Sequence, residues 1–103
     1  MRLHGRIDEN QTAIVDALRA VGATVHSTAS LGDGFPDLLV GFRLGMFLLE
    51  VKTEKGVLTP EQRKWHHHWQ GRPVIVVRSP QEALIAIGAV SKTNAERLRE
   101  TQK

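Results

Sequence analysis

Residues 34–53 read GFPDLLVGFRLGMFLLEVKT, and the fold follows from how that stretch pairs with itself. Residues 38–42 and 46–51 are apolar runs separated by Arg43-Leu44-Gly45. Two short apolar runs around a small, glycine-containing segment predict a β-hairpin, with Gly45 supplying any positive φ the turn needs. Asp37 stands at the mouth of the first strand, and Glu50 and Lys52 near the end of the second. Successive side chains on a strand point to opposite faces, so Glu50 and Lys52 share a face that Val51 does not. A two-residue loop at Leu44-Gly45 pairs Arg43 with Met46, which puts Asp37 opposite Lys52 and diagonal to Glu50. Diagonal neighbours lie roughly 7–8 Å apart, within joint reach of one ion. A slip of one residue changes that pairing.

Outward from the hairpin, the chain alternates helix and strand signals. Upstream, residues 8–21 place Ile14, Val15, Leu18 and Val21 on one stripe, with Ile7 just ahead of them. Asp8 is the expected N-cap and Gly22 the stop. Residues 23–31 are rich in β-branched side chains and predict a strand; Leu31 to Pro36 form a loop that delivers the chain into Asp37. Downstream, Thr59-Pro60-Glu61-Gln62 carries a cap, a proline at the first helical position and a capping-box glutamine. That helix is expected to run to about Gln70, stop at Gly71, and bury the face shared by Trp65 and Trp69. His66, His67 and His68 fan around it and cannot all bind one metal; a solvated helix surface accounts for them. Residues 73–79, PVIVVRS, read as a strand buried on both faces, and Ser79-Pro80 opens a last helix to about Val90.

The order helix, strand, strand, strand, helix, strand, helix predicts an α/β domain. A mixed sheet of about four strands, an antiparallel meander with one strand added by a helical crossover, is flanked by helices. At 103 residues with 41% apolar content, residues 1–90 suit a single domain. Residues 91–103 form a polar tail with material for a short helix. There are no cysteines, so disulfide frameworks and zinc-thiolate sites are excluded, and a cytoplasmic setting is expected. No apolar run approaches the roughly 20 residues of a membrane span. The net charge of +3 and pI near 9.8 agree with a polyanionic partner without requiring one. Five aromatics in all are thin material for a stacking platform.

Asp37 and Glu50 offer hard oxygen donors suited to Mg²⁺ or Mn²⁺, with the Val51 carbonyl between them in sequence as a further ligand. Lys52 would balance charge growing on a phosphate. Glu9, near the start of the first helix, either complements the helix dipole or completes the acidic cluster. Together these groups describe metal-assisted phosphodiester hydrolysis; an exposed cross-strand salt bridge explains the same spacing without function. Lys55, Arg63, Lys64 and the hydroxyl of Ser30 are the candidate phosphate contacts.

Pro36-Asp37 followed by Glu50-Val51-Lys52 resembles the motif of the PD-(D/E)xK nuclease superfamily. Residues 50–65, EVKTEKGVLTPEQRKW, are similar to the small phage-type VRR-NUC nucleases, in which a Gly-x-Leu-(Ser/Thr)-Pro-x-Gln segment opens the helix after the lysine. Glu9 and Gln11 match that group's first helix, and the order of elements agrees over roughly residues 7–88. Pro36 is nearer the superfamily pattern than that of the group. The resemblance implies a metal-dependent endonuclease: Asp37 and Glu50 hold the metal, Lys52 is the catalytic lysine, and Glu9 and Gln62 take the accessory acidic and helix-glutamine positions. It also implies DNA as substrate, branched or four-way junctions among them, and a homodimer, in a chain of phage or other intracellular origin. The alternatives are an inactive DNA-binding domain of the same fold and a nuclease acting on RNA.

Overall fold

The computed structural model describes the backbone of residues 5–91 and the side chains of residues 9–91. The chain runs α1 (Gly5–Ala20), β1 (Thr24–Ser27), a single 3₁₀ turn (Ala29–Leu31), β2 (Leu38–Phe42), β3 (Gly45–Val51), α2 (Pro60–His68), β4 (Ile75–Val77) and α3 (Pro80–Ala86). The expected order of elements is the observed one. The sheet has spatial order β1-β2-β3-β4; the first three strands form an antiparallel meander and β4 joins β3 in parallel through the α2 crossover. The tail expected from residue 91 lies, from residue 92 on, outside the described residues.

Strand alternation decides what the sheet packs against. Val25, Leu38, Val40, Phe47, Leu49, Val51 and Val77 are buried with Ile14 and Leu18 of α1 and Ala83 and Ile87 at α3. Burying each such side chain contributes about 1.5–3 kcal/mol, so this apolar face anchors α1 and α3. By contrast, α2 contributes no buried residue.

The hairpin differs from the expected register by one loop residue. Phe42 pairs with Gly45, so the two-residue loop is Arg43-Leu44. Both loop residues have positive φ, 48° and 69°, the pattern of a type I′ turn whose twist matches the strands it joins. Gly45 is not in that region; its small size serves packing instead, because a Cβ there would lie 3.1 Å from the Phe47 ring. Leu38 consequently faces Leu49, and one step further Asp37 stands opposite Glu50 rather than Lys52.

Element ends shift for local reasons. α1 begins at Gly5, ahead of Asp8, because each added helical residue gains a hydrogen bond once the helix is nucleated. It stops as expected at Gly22, with φ of 92°, where Ala23 N–H bonds the Leu18 carbonyl. β1 ends at Ser27 because Thr28 turns away: its hydroxyl donates to the Pro36 carbonyl and its N–H to the Asp37 carbonyl. α3 ends at Ala86, short of Val90, because Gly88 turns left-handed (φ 80°). The expected buried Trp face of α2 is not buried: Trp69 is 40% exposed. No side chain of α2 is fully buried, so beyond the half-buried Trp65 the helix is held in place by polar contacts.

Candidate functional site

Those polar contacts converge at the end of β3. Glu50, at 0% exposure, is the one buried charged residue among the described residues. Asp37 faces it from the start of β2, with its Oδ2 accepting the Val51 N–H at 2.8 Å. From α2, Gln62 Nε2 reaches Glu50 Oε2 at 3.4 Å, and His66 Nε2 lies 3.0 Å from Oε1. Gln62 Oε1 also accepts from the Lys52 ammonium at 2.7 Å and from the Thr59 N–H at 2.9 Å. The Thr59 hydroxyl accepts the Gln62 N–H, completing the capping box. The glutamine that completes the cap of the helix is therefore also the one that holds the lysine.

The backbone around Lys52 is pinned as well. Its carbonyl accepts from Asn10 Nδ2 of α1 at 2.9 Å, and its N–H donates to the Val77 carbonyl at 3.1 Å. Arg78, following β4, donates to the carbonyls of Thr53, Glu54 and Gly56 at 2.8, 3.3 and 2.7 Å. This arginine clamps the loop after the lysine from within, so it is a structural brace and not a free phosphate contact. Gly34, at φ 84°, brings its backbone against α2; a Cβ there would meet the Glu61 carbonyl oxygen at 2.4 Å.

Electrostatics follow from burial. Glu50 is pushed up to about 9, first by burial, then by its hydrogen bond and charge repulsion with Asp37, against the pull of Lys52. His66 is held below its ordinary value, first by burial and then by Lys52, with Asp37 opposing. Near pH 7 and without a bound cation, Glu50 is thus protonated and His66 neutral. Their 3.0 Å contact is a hydrogen bond between neutral groups rather than an ion pair.

A cleft of about 370 Å³ opens here, lined by Gln11, Asp37, Val51, Lys52, Thr53 and Gln62. Two carboxylates forced together, one holding a proton against its ordinary acidity, fit a divalent cation that would replace the proton. Among the described residues no three His, Asp or Glu side chains are grouped to hold a metal. Mg²⁺ sites of one or two carboxylates completed by waters and phosphate oxygens need no third.

A solved structure titled "VRR_NUC domain" is similar to this chain, with a TM-score of 0.63 and 30% sequence identity over 77% of this chain and 92% of the other. This chain belongs to the VRR-NUC family. The family lies within the PD-(D/E)xK nuclease superfamily, and the observed mixed sheet agrees with that core. No family model matches the sequence, and no curated protein does.

Against the VRR-NUC motif, the structure brings Asp37, Glu50, Lys52 and Gln62 together, with the Val51 backbone between them. Glu9 is exposed on α1, and it is Gln11, two residues on, that lines the cleft. Lys55, Arg63 and Lys64 are exposed near the site along the chain, Arg63 with a bond to the Leu58 carbonyl. Ser30 is exposed in the 3₁₀ turn. Sequence reasoning missed Asn10, Gly34, His66 and Arg78. Only His66 left a signal: it lies four residues after Gln62, on the same side of the helix.

Proposed function

We propose that this VRR-NUC domain is a metal-dependent endonuclease that hydrolyses DNA phosphodiester bonds, with Mg²⁺ or Mn²⁺ held by Asp37 and Glu50. The observation that carries the reading is the buried Glu50 held against a half-buried Asp37, which lines one cleft with Lys52, the lysine itself anchored by Gln62. When bound, the cation would polarise a phosphoryl oxygen and lower the pKa of water at the site. The chain's own residues do the rest. The Val51 N–H fixes one oxygen of Asp37 and leaves the other for the cation, with the Val51 carbonyl as a further hard donor. His66 and Gln62 orient the Glu50 carboxylate. Lys52, with one donor occupied by Gln62, has two left for the phosphate oxygens on which charge grows. Lys55, Arg63 and Lys64 are proposed to contact flanking phosphates, which makes binding fall steeply with salt. The motif resemblance extends the proposal to branched DNA, including four-way junctions, and to a homodimer acting inside the cell. No described helix is long and apolar enough to cross a membrane.

The test incubates the purified chain with labelled duplex, four-way junction and RNA in Mg²⁺, Mn²⁺ or EDTA. DNA cleavage in metal and none in EDTA is expected. Cleavage of RNA alone would move the substrate, and DNA binding without any cleavage would leave an inactive binding domain.

A further inference from the structure

Phe35, Trp65 and Trp69 account for three of the five aromatic residues in the chain, and the fold stacks them in one ladder. Phe35 meets Trp65 edge-on at 4.9 Å, and Trp65 stacks on Trp69 at 5.0 Å with the rings 18° from parallel. This ladder is not core. Trp69 is 40% exposed although it is held firmly: its Nε1–H donates to the Arg72 carbonyl at 3.0 Å, and Gly71 lies so close that a Cβ there would come within 2.7 Å of the ring. Beside the ladder lies a cleft of about 580 Å³, lined by Trp65 and Trp69 together with Asp33, Glu61, Lys64 and His68. It is larger than the cleft of about 370 Å³ beside Asp37 and Lys52. It also neighbours the active site: at 100° per residue, Trp65 sits about 60° around the helix from Gln62.

The lining chooses among ligands. Two carboxylates outweigh one ammonium, which disfavours a phosphate inside the cleft. A nucleobase is uncharged, has a flat face for a fixed indole, and carries amino and ring N–H donors for Asp33 and Glu61. Lys64 is the group left for the adjoining phosphate. We infer that this cleft is a stacking site for an unpaired nucleobase of the nucleic acid, seated against Trp69. The inference rests on the nuclease reading and deepens it: the preferred substrate has an unpaired base beside the scissile strand, as at a gap, flap or branch, because a base within intact duplex cannot reach the indole.

Both tryptophans of the chain line the cleft, so intrinsic fluorescence reports it directly. The experiment titrates the full chain in EDTA with a short oligodeoxythymidylate and with an abasic oligomer of equal length and charge. The base-bearing strand should quench saturably and bind about tenfold more tightly than the abasic one, since stacking of one base on an aromatic side chain is of that order. Trp69→Leu should remove most of the difference, with Trp65 still reporting, and Trp69→Phe should keep most of it. Equal binding of the two strands, or an unchanged preference in Trp69→Leu, overturns the site. So does a dimer in sedimentation that Trp69→Leu dissociates, because the patch then belongs to a second copy of the chain. No metal or turnover enters these measurements. A chain that stacks bases but never cleaves therefore fails the nuclease reading alone, and one that cleaves without a base preference fails this inference alone.

Discussion

The two faces of the sheet are held by opposite physics. On one, Leu38, Val40, Leu49 and Val51 bury against Ile14 and Leu18 of α1 and Ala83 of α3, and the force is non-directional. On the other, α2 has no fully buried side chain and, apart from the edge contact of Trp65 with Phe35, is positioned by hydrogen bonds that Gln62 and His66 make with Glu50 and that Gln62 accepts from Lys52. Adjacent residues of one strand serve both: Leu49 and Val51 point to the core, Glu50 to the site. The apolar face tolerates imprecision, because any well-packed contact contributes. The polar face does not, since hydrogen bonds weaken steeply with misalignment. The difference separates what stabilises the domain from what would make it act.

The sharpest way to break that division is to cut it on both sides. Lys52→Ala should lower cleavage on the order of 10²–10³-fold while leaving the melting temperature nearly unchanged. Leu49→Ala should do the reverse, costing about 2–5 kcal/mol of stability with activity per folded molecule retained. Cleavage rates paired with calorimetric melts decide it; a Lys52→Ala protein that unfolds would make the polar face structural after all.

A smaller effect is expected where the faces meet through backbone. Gly34→Ala combines a left-handed φ with a Cβ driven into Glu61 of α2, a strain of about 1–3 kcal/mol. Since α2 adds little to the core, part of that strain should be relieved by displacing the helix. Cleavage should then fall further than stability does, and equal losses of both would argue against displacement.

The pH dependence tests the buried carboxylate. In metal-free protein Glu50 is pushed up to about 9 from 4.5, so the fold favours its protonated form. The associated stability is fully present below about pH 4.5 and is lost as pH rises towards 9. Melting temperature in EDTA should therefore drop between pH 5 and 9, by on the order of 5 °C or more. Glu50→Gln should flatten the drop, and Mg²⁺ or Mn²⁺ should offset it in the wild type. His66, held low, acts in the opposite sense, removing stability as pH falls below about 6.5. A melting temperature flat across the range in both proteins would mean that Glu50 ionises freely. The mildest change is Asn10→Ala, which removes the α1 tie to the Lys52 carbonyl for about 1 kcal/mol, read as a modest fall in melting temperature.

Much of this was legible in the chain. The capping box at Thr59 and Gln62, the stop at Gly22, the crossover to residues 75–77 and the cluster of Asp37, Glu50 and Lys52 all depend on local chemistry or on period. The hairpin register was not, because Gly45 looked like the turn glycine while Arg43 and Leu44 take the left-handed positions. The two tryptophans at helical spacing looked like core because period alone cannot tell which face a helix presents to a sheet.

Sequence alone determined the element order, the sheet's alternation and the motif that places the chain among VRR-NUC proteins, since these follow from spacing along the backbone. Only the tertiary structure decided that Asp37 faces Glu50, that His66 and Gln62 clamp the site, and that the Phe35–Trp65–Trp69 ladder stays open. Those contacts join residues far apart in the chain or on different elements. They depend on register and helix rotation, which no local pattern encodes.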